Sequence, residues 1–201
     1  MLTIAVLAGG KSQRMGQDKS IMTFQGEVLI RRVLKRLAGL ANEVMVIAPR
    51  NHEYLSLGVM VEPDILPGCG PLGGLYTALI KSSNQEVALI ACDMPFVNPG
   101  LLLHQLDILL SDNVDVVVPS SEKGLEPLHA IYRKDTSLPA VKEALDSGER
   151  RLVSWFPNVK VRILTQIETN SFDPWGLMFL NINTPEEFTQ AEKLAKYKSP
   201  I

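Results

Sequence analysis

Short apolar runs alternate with amphipathic stretches through the first two-thirds of the chain. Four of these runs are rich in Val, Ile and Leu and therefore predict β-strands, at residues 2–8, 43–48, 86–92 and 114–119. The runs carry few polar side chains, which is typical of strands that are covered on both faces. The pattern thus predicts a parallel sheet with helices packed on each side.

An amphipathic helix is predicted between the first two strands. Its apolar positions recur at helical spacing and comprise Ile30, Val33, Leu34 and Leu37. Its opposite face is basic and comprises Arg31, Arg32, Lys35 and Arg36. Charged side chains on the polar face of a helix are usually solvated, and we expect these four to be so.

The remaining elements continue this alternation and then become irregular. Helices are predicted over residues 72–82, 101–110 and 136–146, and a last helix is predicted from residue 185 onward. Asn98 and Thr184 are suitable N-caps, and Pro99 suits a first helical turn. A polar turn at residues 120–124 precedes a further strand over residues 126–133. Because no linker or internal repeat interrupts the pattern, the chain is interpreted as one α/β domain over residues 1–201.

Composition and charge narrow the classes of function. Of the 201 residues, 46% are hydrophobic, and the formal net charge of -2 does not favour binding to nucleic acid or to a membrane surface. The two cysteines, Cys69 and Cys92, form no CxxC pair and no zinc-site spacing, so a reduced, cytoplasmic protein is expected. We expect no leader and no membrane span, because the apolar runs are short.

A glycine-rich, basic loop follows the first predicted strand, with the sequence LAGGKSQRMGQDKS at residues 7–20. Gly9 and Gly10 let backbone N–H groups approach an anion, and Arg14 and Lys19 can reach phosphate oxygens. Residues 9–36 include seven basic and two acidic side chains, so the local charge is positive. The spacing is not that of a Walker P-loop, because five residues separate Gly10 from Gly16 and the residue directly after Gly16 is a glutamine and not a lysine.

A second glycine-rich segment, PGCGPLGG at residues 67–74, contains GxGxxG at Gly68, Gly70 and Gly73. The strand-like VMVE before it ends too early, and its two prolines stiffen the connection, so a Rossmann dinucleotide fingerprint is disfavoured. A loop that passes close to a base or a ribose fits better. A helix entry that needs small residues is the alternative interpretation.

Asp93 follows the buried run VALIAC at the predicted end of a strand. An ionised carboxylate is costly to bury unpaired, and a Mg²⁺ ion held by one carboxylate and by substrate phosphates explains its position. A turn or helix cap is the alternative. The chain has neither GxSxG nor HExxH, and its three histidines are scattered, so the two loops and Asp93 together predict a nucleoside triphosphate site without a protein nucleophile.

Five blocks occur in order over nearly the full chain: LAGGKSQRMGQDK, GPLGGL, CDMP, EPLHAIYR and FLNINTPEE. Together they resemble the molybdenum cofactor guanylyltransferases of the MobA type. The resemblance implies an α/β, Rossmann-like, three-layer nucleotidyltransferase fold with a mostly parallel central sheet. It also implies a nucleotide-binding half at about residues 1–100 and a cofactor-binding half at about residues 101–201.

The resemblance assigns roles to individual residues. The loop at the GTP phosphates and near the base would comprise Leu7, Ala8, Gly9, Gly10 and Lys19. The segment against the nucleoside would comprise Gly70, Pro71, Gly73 and Gly74. Asp64 matches an acidic GTP-binding position, and Asp93 matches the carboxylate shared by Mg²⁺ and the nucleotide. Asn181 and Asn183 match a polar pair near the pterin, and His129 lies where an aromatic residue is common.

The implied reaction joins GTP to molybdopterin-bound molybdenum and releases pyrophosphate. The cofactor's terminal phosphate is already ionised, so the expected catalytic residues, Arg14, Lys19 and Asp93, need only hold the reactants in line and offset charge with Mg²⁺. A cytidylyltransferase on the same cofactor or a sugar-phosphate nucleotidyltransferase is the alternative, although Gly9 and the 70–74 segment favour guanine. A non-catalytic nucleotide sensor or cofactor carrier is a second alternative. Handover to the molybdenum-inserting enzyme and to apo-molybdoenzymes is a further hypothesis.

Overall fold

A computed structural model describes residues 1–8 and 19–197 of the chain. Its strands are Leu2–Leu7 (β1), Thr23–Phe24 (β2), Glu43–Ile47 (β4), Met60–Glu62 (β5), Glu86–Ala91 (β6), Val116–Ser121 (β7), Gly124–Leu125 (β8), His129–Arg133 (β9) and Val161–Leu164 (β10), with Glu27–Val28 (β3) paired to β2. All but β2 and β3 form an eight-stranded sheet in the order β10-β7-β9-β6-β1-β4-β5, with β8 beside β7.

Helices cover both faces of this sheet. They are Leu29–Arg36 (α1), His52–Leu55 (α2), Gly70–Lys81 (α3), Pro99–Ser111 (α4), Lys134–Asp146 (α5), Gln166–Asn170 (α6) and Pro185–Tyr197 (α7). Ile30 and Val33 of α1 and the buried apolar side chains of α4 share one core cluster with Ile4 and Val6, whereas the buried apolar side chains of α3 and α5 share another with Ala5. Successive β1 residues thus face opposite helical layers, and the predicted three-layer fold is confirmed. No helix of the described residues is long and apolar enough to cross a membrane.

The parallel pairing of the central strands aligns their carboxyl ends. β1 pairs in parallel with β4 and β6, so that Leu7 lies opposite both Ile47 and Ala91. β5 continues the parallel set, with Glu62 opposite Ile47. The segments that follow these strands therefore leave the sheet at one edge, where open α/β sheets bind their ligands.

β9 interrupts the parallel order, because it runs antiparallel to both β6 and β7. Only residues 122–128 separate it from β7, and a parallel crossover needs a longer connection. This strand was predicted from residue 126 but begins at His129. The backbone of Glu126 first turns, since its N–H donates to Pro119 O at 2.9 Å and its carbonyl accepts from His129 N at 3.0 Å.

Both predicted N-caps are confirmed. Asn98 Oδ1 accepts from Leu101 N at 3.0 Å at the start of α4. Thr184 Oγ1 accepts from Glu187 N at 3.2 Å, and Glu187 Oε2 accepts in return from Thr184 N at 3.1 Å, which forms a capping box before α7.

Two glycines in the first turns of α3 allow close packing. A Cβ on Gly73 would lie 2.8 Å from Cys69 Cβ and 3.0 Å from Leu66 O, both of which belong to the loop before the helix. A Cβ on Gly74 would lie 2.8 Å from the nearer methyl group of Leu7 at the end of β1. The helix entry thus has a packing reason for small residues, as the alternative interpretation of this segment stated, and its predicted contact with a nucleoside stays a prediction.

These contacts predict different costs for two neighbouring substitutions. Gly73→Ala should lower the free energy of unfolding by about 2 kcal/mol, because the new methyl group meets backbone and a Cβ atom that cannot move independently. Gly74→Ala should cost less, because the end of Leu7 can change rotamer, whereas the helix preference for alanine of about 1 kcal/mol is common to both substitutions. Urea unfolding of both variants measures the difference, and equal costs would contradict this account of the packing.

Candidate functional site at the carboxyl edge of the sheet

The carboxyl edge of the central strands gathers residues from distant parts of the chain. Ala8 follows β1, and its N–H donates to Ile47 O at 3.0 Å. Cys92 follows β6, and its N–H donates to Leu7 O at 3.0 Å, which places Asp93 directly beyond the edge. Asp64 follows β5 at the same edge. Leu7, Ala8, Asp64 and Asp93 thus all lie at this edge of the sheet, and their roles in binding stay predictions.

The basic loop after β1 carries several predicted site residues. Gly9, Gly10 and Arg14 lie outside the described residues. Lys19 begins a 3₁₀ turn over Lys19–Ile21, but its side chain also lies outside the described part. Their roles at the phosphates stay predictions.

Asp64 organises the loop between β5 and α3. Its Oδ1 atom accepts hydrogen bonds from Leu66 N at 3.0 Å and from Thr77 Oγ1 at 2.8 Å. Thr77 Oγ1 also accepts from Ile65 N at 3.0 Å. One carboxylate oxygen is therefore used to join the loop to α3, and Oδ2 lies 3.3 Å from the position that a Gly73 Cβ would take. The loop thereby holds the start of α3 at the edge of the sheet.

The segment after β6, residues 93–98, is held through its backbone. Ile182 N donates to Asp93 O at 3.1 Å. Arg32 Nε donates to Pro95 O at 3.2 Å, and Arg36 Nε donates to Val97 O at 2.9 Å. Buried carbonyl groups need such donors, and here α1 and the segment before α7 supply them. Asp93 is therefore the first residue of a segment whose backbone is held in place by hydrogen bonds.

Two of the four basic residues of α1 are not on a solvated face, contrary to the prediction. Arg32 and Arg36 are half-buried and bind the 93–98 segment, and the Arg32 guanidinium also lies 5.2 Å from the centre of the Phe24 ring. Burial lowers the pKa of Arg36, as does the neighbouring Arg32 charge, whereas Asp173 raises it. Arg31 and Lys35 are exposed, as expected.

His129 lies on the other side of the same segment. It is fully buried, and its Nε2 atom accepts from Asn98 N at 3.4 Å. Its Nδ1 atom lies 3.3 Å from Gln105 Oε1, and its ring meets the Phe179 ring edge to face, with centroids 5.5 Å apart. Burial lowers the pKa of His129 to about 4, so the ring is neutral at neutral pH.

The two predicted asparagines occupy different environments. Asn181 precedes Ile182, whose N–H bonds to Asp93 O, and so lies beside the end of β6. Within the described residues, Asn181 Oδ1 is buried and accepts no hydrogen bond, which leaves it available to a ligand donor. Asn183 is exposed, and its backbone N–H donates to Glu187 Oε2 at 2.6 Å.

Glu126 is a residue at this edge that sequence reasoning did not select. It precedes Leu128, whose carbonyl accepts from Ala91 N at the end of β6. Its carboxyl group is buried and accepts from Ser121 Oγ at 2.6 Å. Burial raises its pKa, although Ser121 and Lys123 act in the opposite direction. Its position in the irregular turn before β9 gave no periodic signal.

The residues at this edge fit a magnesium ion that is bound together with a substrate. No group of three or more His, Cys, Asp or Glu side chains among the described residues could hold a metal by itself. Mg²⁺ typically takes one or two carboxylates and completes its shell with phosphates and water. Asp93, half-buried at the strand end, supplies a carboxylate of this kind.

Known proteins match this chain in sequence and in fold. Residues 4–161 match the family model described as "MobA-like NTP transferase domain". A crystal structure of molybdopterin-guanine dinucleotide biosynthesis protein A from Archaeoglobus fulgidus is similar to this chain, with a TM-score of 0.84 and 25% sequence identity over 97% of this chain and 99% of that one.

Relatives known by sequence extend over the same length. A protein of Pelotomaculum thermopropionicum is 33% identical over 194 residues, which cover 96% of this chain and 93% of the relative. A protein of Carboxydothermus hydrogenoformans is 34% identical over 200 residues, which cover 98% of each chain. Both carry the name "Probable molybdenum cofactor guanylyltransferase".

The buried His129 predicts a pH dependence of stability. The unfolded chain takes up a proton near the ordinary pKa of 6.5, whereas the folded chain does so near pH 4. The contribution of neutral His129 is therefore complete above pH 6.5 and is lost as the pH falls toward 4, by up to about 3 kcal/mol. Urea unfolding between pH 4.5 and 7.5 should show this loss in the wild type but not in His129→Gln.

The variant also serves as the control for other titrating groups, because Asp and Glu side chains titrate in both proteins. Parallel stability curves for the two proteins across this pH range would show that His129 does not titrate as described.

Proposed function

The chain belongs to the family of MobA-like NTP transferase domains, and from this membership we propose that it transfers GMP from GTP to molybdenum-bound molybdopterin. The chain is accordingly a nucleotidyltransferase. Its products would be the guanine dinucleotide form of the cofactor and pyrophosphate. The names of its full-length relatives support the guanylyl transfer.

One observation in the structure supports this proposal at the level of individual residues. Asp93 and Asn181 are neighbours in the fold, because the N–H of Ile182, the residue after Asn181, donates to Asp93 O beyond the shared carboxyl edge of β1 and β6. Within the described residues, the buried Asn181 Oδ1 atom accepts no hydrogen bond. A carboxylate suits a cation on phosphates, and an amide oxygen suits the N–H groups of a heterocycle. The two groups thus supply chemistry for two substrates next to each other.

The proposed step needs no protein nucleophile. An oxygen of the terminal phosphate of molybdopterin forms a bond to the α-phosphorus of GTP, and the bond from that phosphorus to the bridging oxygen of the β-phosphate breaks. Pyrophosphate leaves with the electron pair. Because the attacking phosphate is ionised near neutral pH, the protein has to align the two reactants and offset charge.

Each proposed catalytic residue has one task in this step. Asp93 would hold Mg²⁺, which supplies positive charge at the transferring phosphate. Lys19 and Arg14 would neutralise charge that develops on the leaving pyrophosphate. Leu7, Ala8 and the glycines of the first loop would let the backbone approach the nucleotide, and Asp64 would contribute through the loop that it organises before α3.

The proposal also covers the choice of nucleotide and the later fate of the product. Gly9 and the 70–74 segment favour GTP over CTP. A reduced, cytoplasmic setting suits the labile product, which would pass to apo-molybdoenzymes, with the molybdenum-inserting enzyme as the donor of the acceptor substrate. Retention of either partner by the immobilised protein tests the handover.

The reaction itself is tested by pyrophosphate release with Mg²⁺, molybdenum-bound molybdopterin and either GTP or CTP. Release with GTP is expected. Release with CTP alone would instead identify a cytidylyltransferase, and nucleotide binding without release would identify a sensor.

Substitution of the proposed catalytic residues should abolish most turnover without unfolding the protein. Asp93→Asn and Lys19→Ala should each lower kcat by about 100-fold or more, because each removes charge from the transition state. Asp107→Asn, at an exposed acidic position of α4, is the matched control and should keep wild-type turnover. Near-normal activity in either site variant would refute the assigned role, and circular dichroism checks that the fold persists.

A further inference from the structure

His129 contacts both segments that carry the candidate site, although it lies in β9 and not in either of them. On one side is the 93–98 segment, which begins with Asp93 and ends with Asn98. On the other side is Phe179, two residues before Asn181. A fully buried imidazole thus lies between the parts of the chain that position the carboxylate and the amide.

The hydrogen bonds around His129 fix which ring nitrogen carries the proton. Gln105 Nε2 donates to Val117 O at 3.2 Å and to His129 O at 2.9 Å, so its two hydrogens are used on backbone carbonyls. Gln105 Oε1 therefore faces His129 Nδ1 as an acceptor, and Nδ1 must be the protonated nitrogen. Nε2 is left with a lone pair, which accepts from Asn98 N.

Asn98 connects its hydrogen bond with His129 to two neighbouring segments. Its side chain caps α4 through Leu101 N and donates from Nδ2 to Phe172 O at 3.0 Å. His129 accepts from the backbone N–H of Asn98, and an apolar side chain at position 129 would remove the acceptor of this part-buried donor. The end of the 93–98 segment therefore depends on an acceptor atom at the position of Nε2.

We propose that His129 is a positioning residue, which sets the separation between the Asp93 carboxylate and the Asn181 amide by holding Asn98 on one side and Phe179 on the other. This inference rests on the proposed nucleotidyl transfer, because it concerns residues of that site. His129 touches neither substrate. It acts through the backbone of the 93–98 segment and through the ring of Phe179, and the Ile182 N to Asp93 O hydrogen bond closes the link between the two segments.

The test compares substitutions that keep or remove the acceptor. Glutamine can place its Oε1 near the position of Nε2, whereas phenylalanine keeps an aromatic contact with Phe179 but accepts no hydrogen bond. His129→Phe should lower kcat by about 10- to 100-fold, the usual effect of removing a residue that orients a ligand. The KM for GTP should change less than about 3-fold in the same variant, because the rest of the nucleotide site is intact. His129→Gln should restore most of kcat.

A binding measurement gives a readout that does not depend on turnover. Mn²⁺ replaces Mg²⁺ as the probe, and its binding in the presence of GTP is followed by electron paramagnetic resonance. The affinity for Mn²⁺ should fall about 10-fold in His129→Phe and should be close to the wild-type value in His129→Gln. The reason is that the side-chain acceptor at position 129 holds Asn98, and through it the segment that carries Asp93. Equal losses in the two variants, or no loss in His129→Phe, would overturn the proposal.

Tyr132→Phe is the control for a general effect on stability. Tyr132 is also buried in β9, but it packs in the core cluster on the opposite face of the sheet, and its hydroxyl donates to Pro127 O at 2.7 Å. This variant loses one hydrogen bond from the same strand and should keep both kcat and Mn²⁺ affinity. If it lost them as His129→Phe does, the effect would be structural and the proposal would fail.

Three further outcomes are also informative. If His129→Phe does not fold, His129→Leu, a smaller side chain without an acceptor, takes its place in both measurements. If the wild type binds Mn²⁺ with GTP but catalyses no guanylyl transfer, the proposed function fails, while the comparison of Mn²⁺ affinities still decides the role of His129. Absence of Mn²⁺ binding in the wild type would overturn that role.

Discussion

The candidate site depends on how the backbone of residues 93–98 is hydrogen-bonded after it leaves β6. Within a strand, a neighbouring strand satisfies each carbonyl group, but beyond the sheet other elements must supply the donors. Here the carbonyl of Asp93 accepts from Ile182 N, and those of Pro95 and Val97 accept from Arg32 and Arg36. The place of the Asp93 carboxylate is therefore set by an early helix and by the last part of the chain.

This arrangement ties together the predicted nucleotide-binding and cofactor-binding halves. Asp93 belongs to the first half in sequence, but the groups that hold its segment include Ile182 and His129 of the second. A substitution in the second half can thus disturb the backbone that carries Asp93. The same coupling connects Asp93 to the neighbour of Asn181, whose Oδ1 atom is buried and accepts no hydrogen bond from the described residues, and the proposed reaction between two bound substrates needs such fixed positions.

The hydrophobic pattern predicted the strands and the helical layers because a continuous apolar run is typical of a strand that is buried on both faces, as β1 and β6 are. Asp93 could be selected for the complementary reason, since an ionisable residue directly after such an apolar run needs an explanation. Arg32 and Arg36 could not be selected, because helical periodicity separates polar from apolar positions but does not reveal which backbone carbonyls lie within reach of the polar ones. Asn181 was selected through the family resemblance and not through any local pattern, and its role stays a prediction.

A site that works by alignment requires rigidity more than reactive side chains. Small displacements of a bound reactant cost much of the advantage of alignment, so the groups that hold the reactants must themselves be held by fixed neighbours. In the described residues, Asp64 is held by Leu66 N and Thr77, the 93–98 segment by three donors, and Asn98 by His129. Most of these bonds use backbone groups, which explains why the side chains that support the site have no recognisable motif of their own.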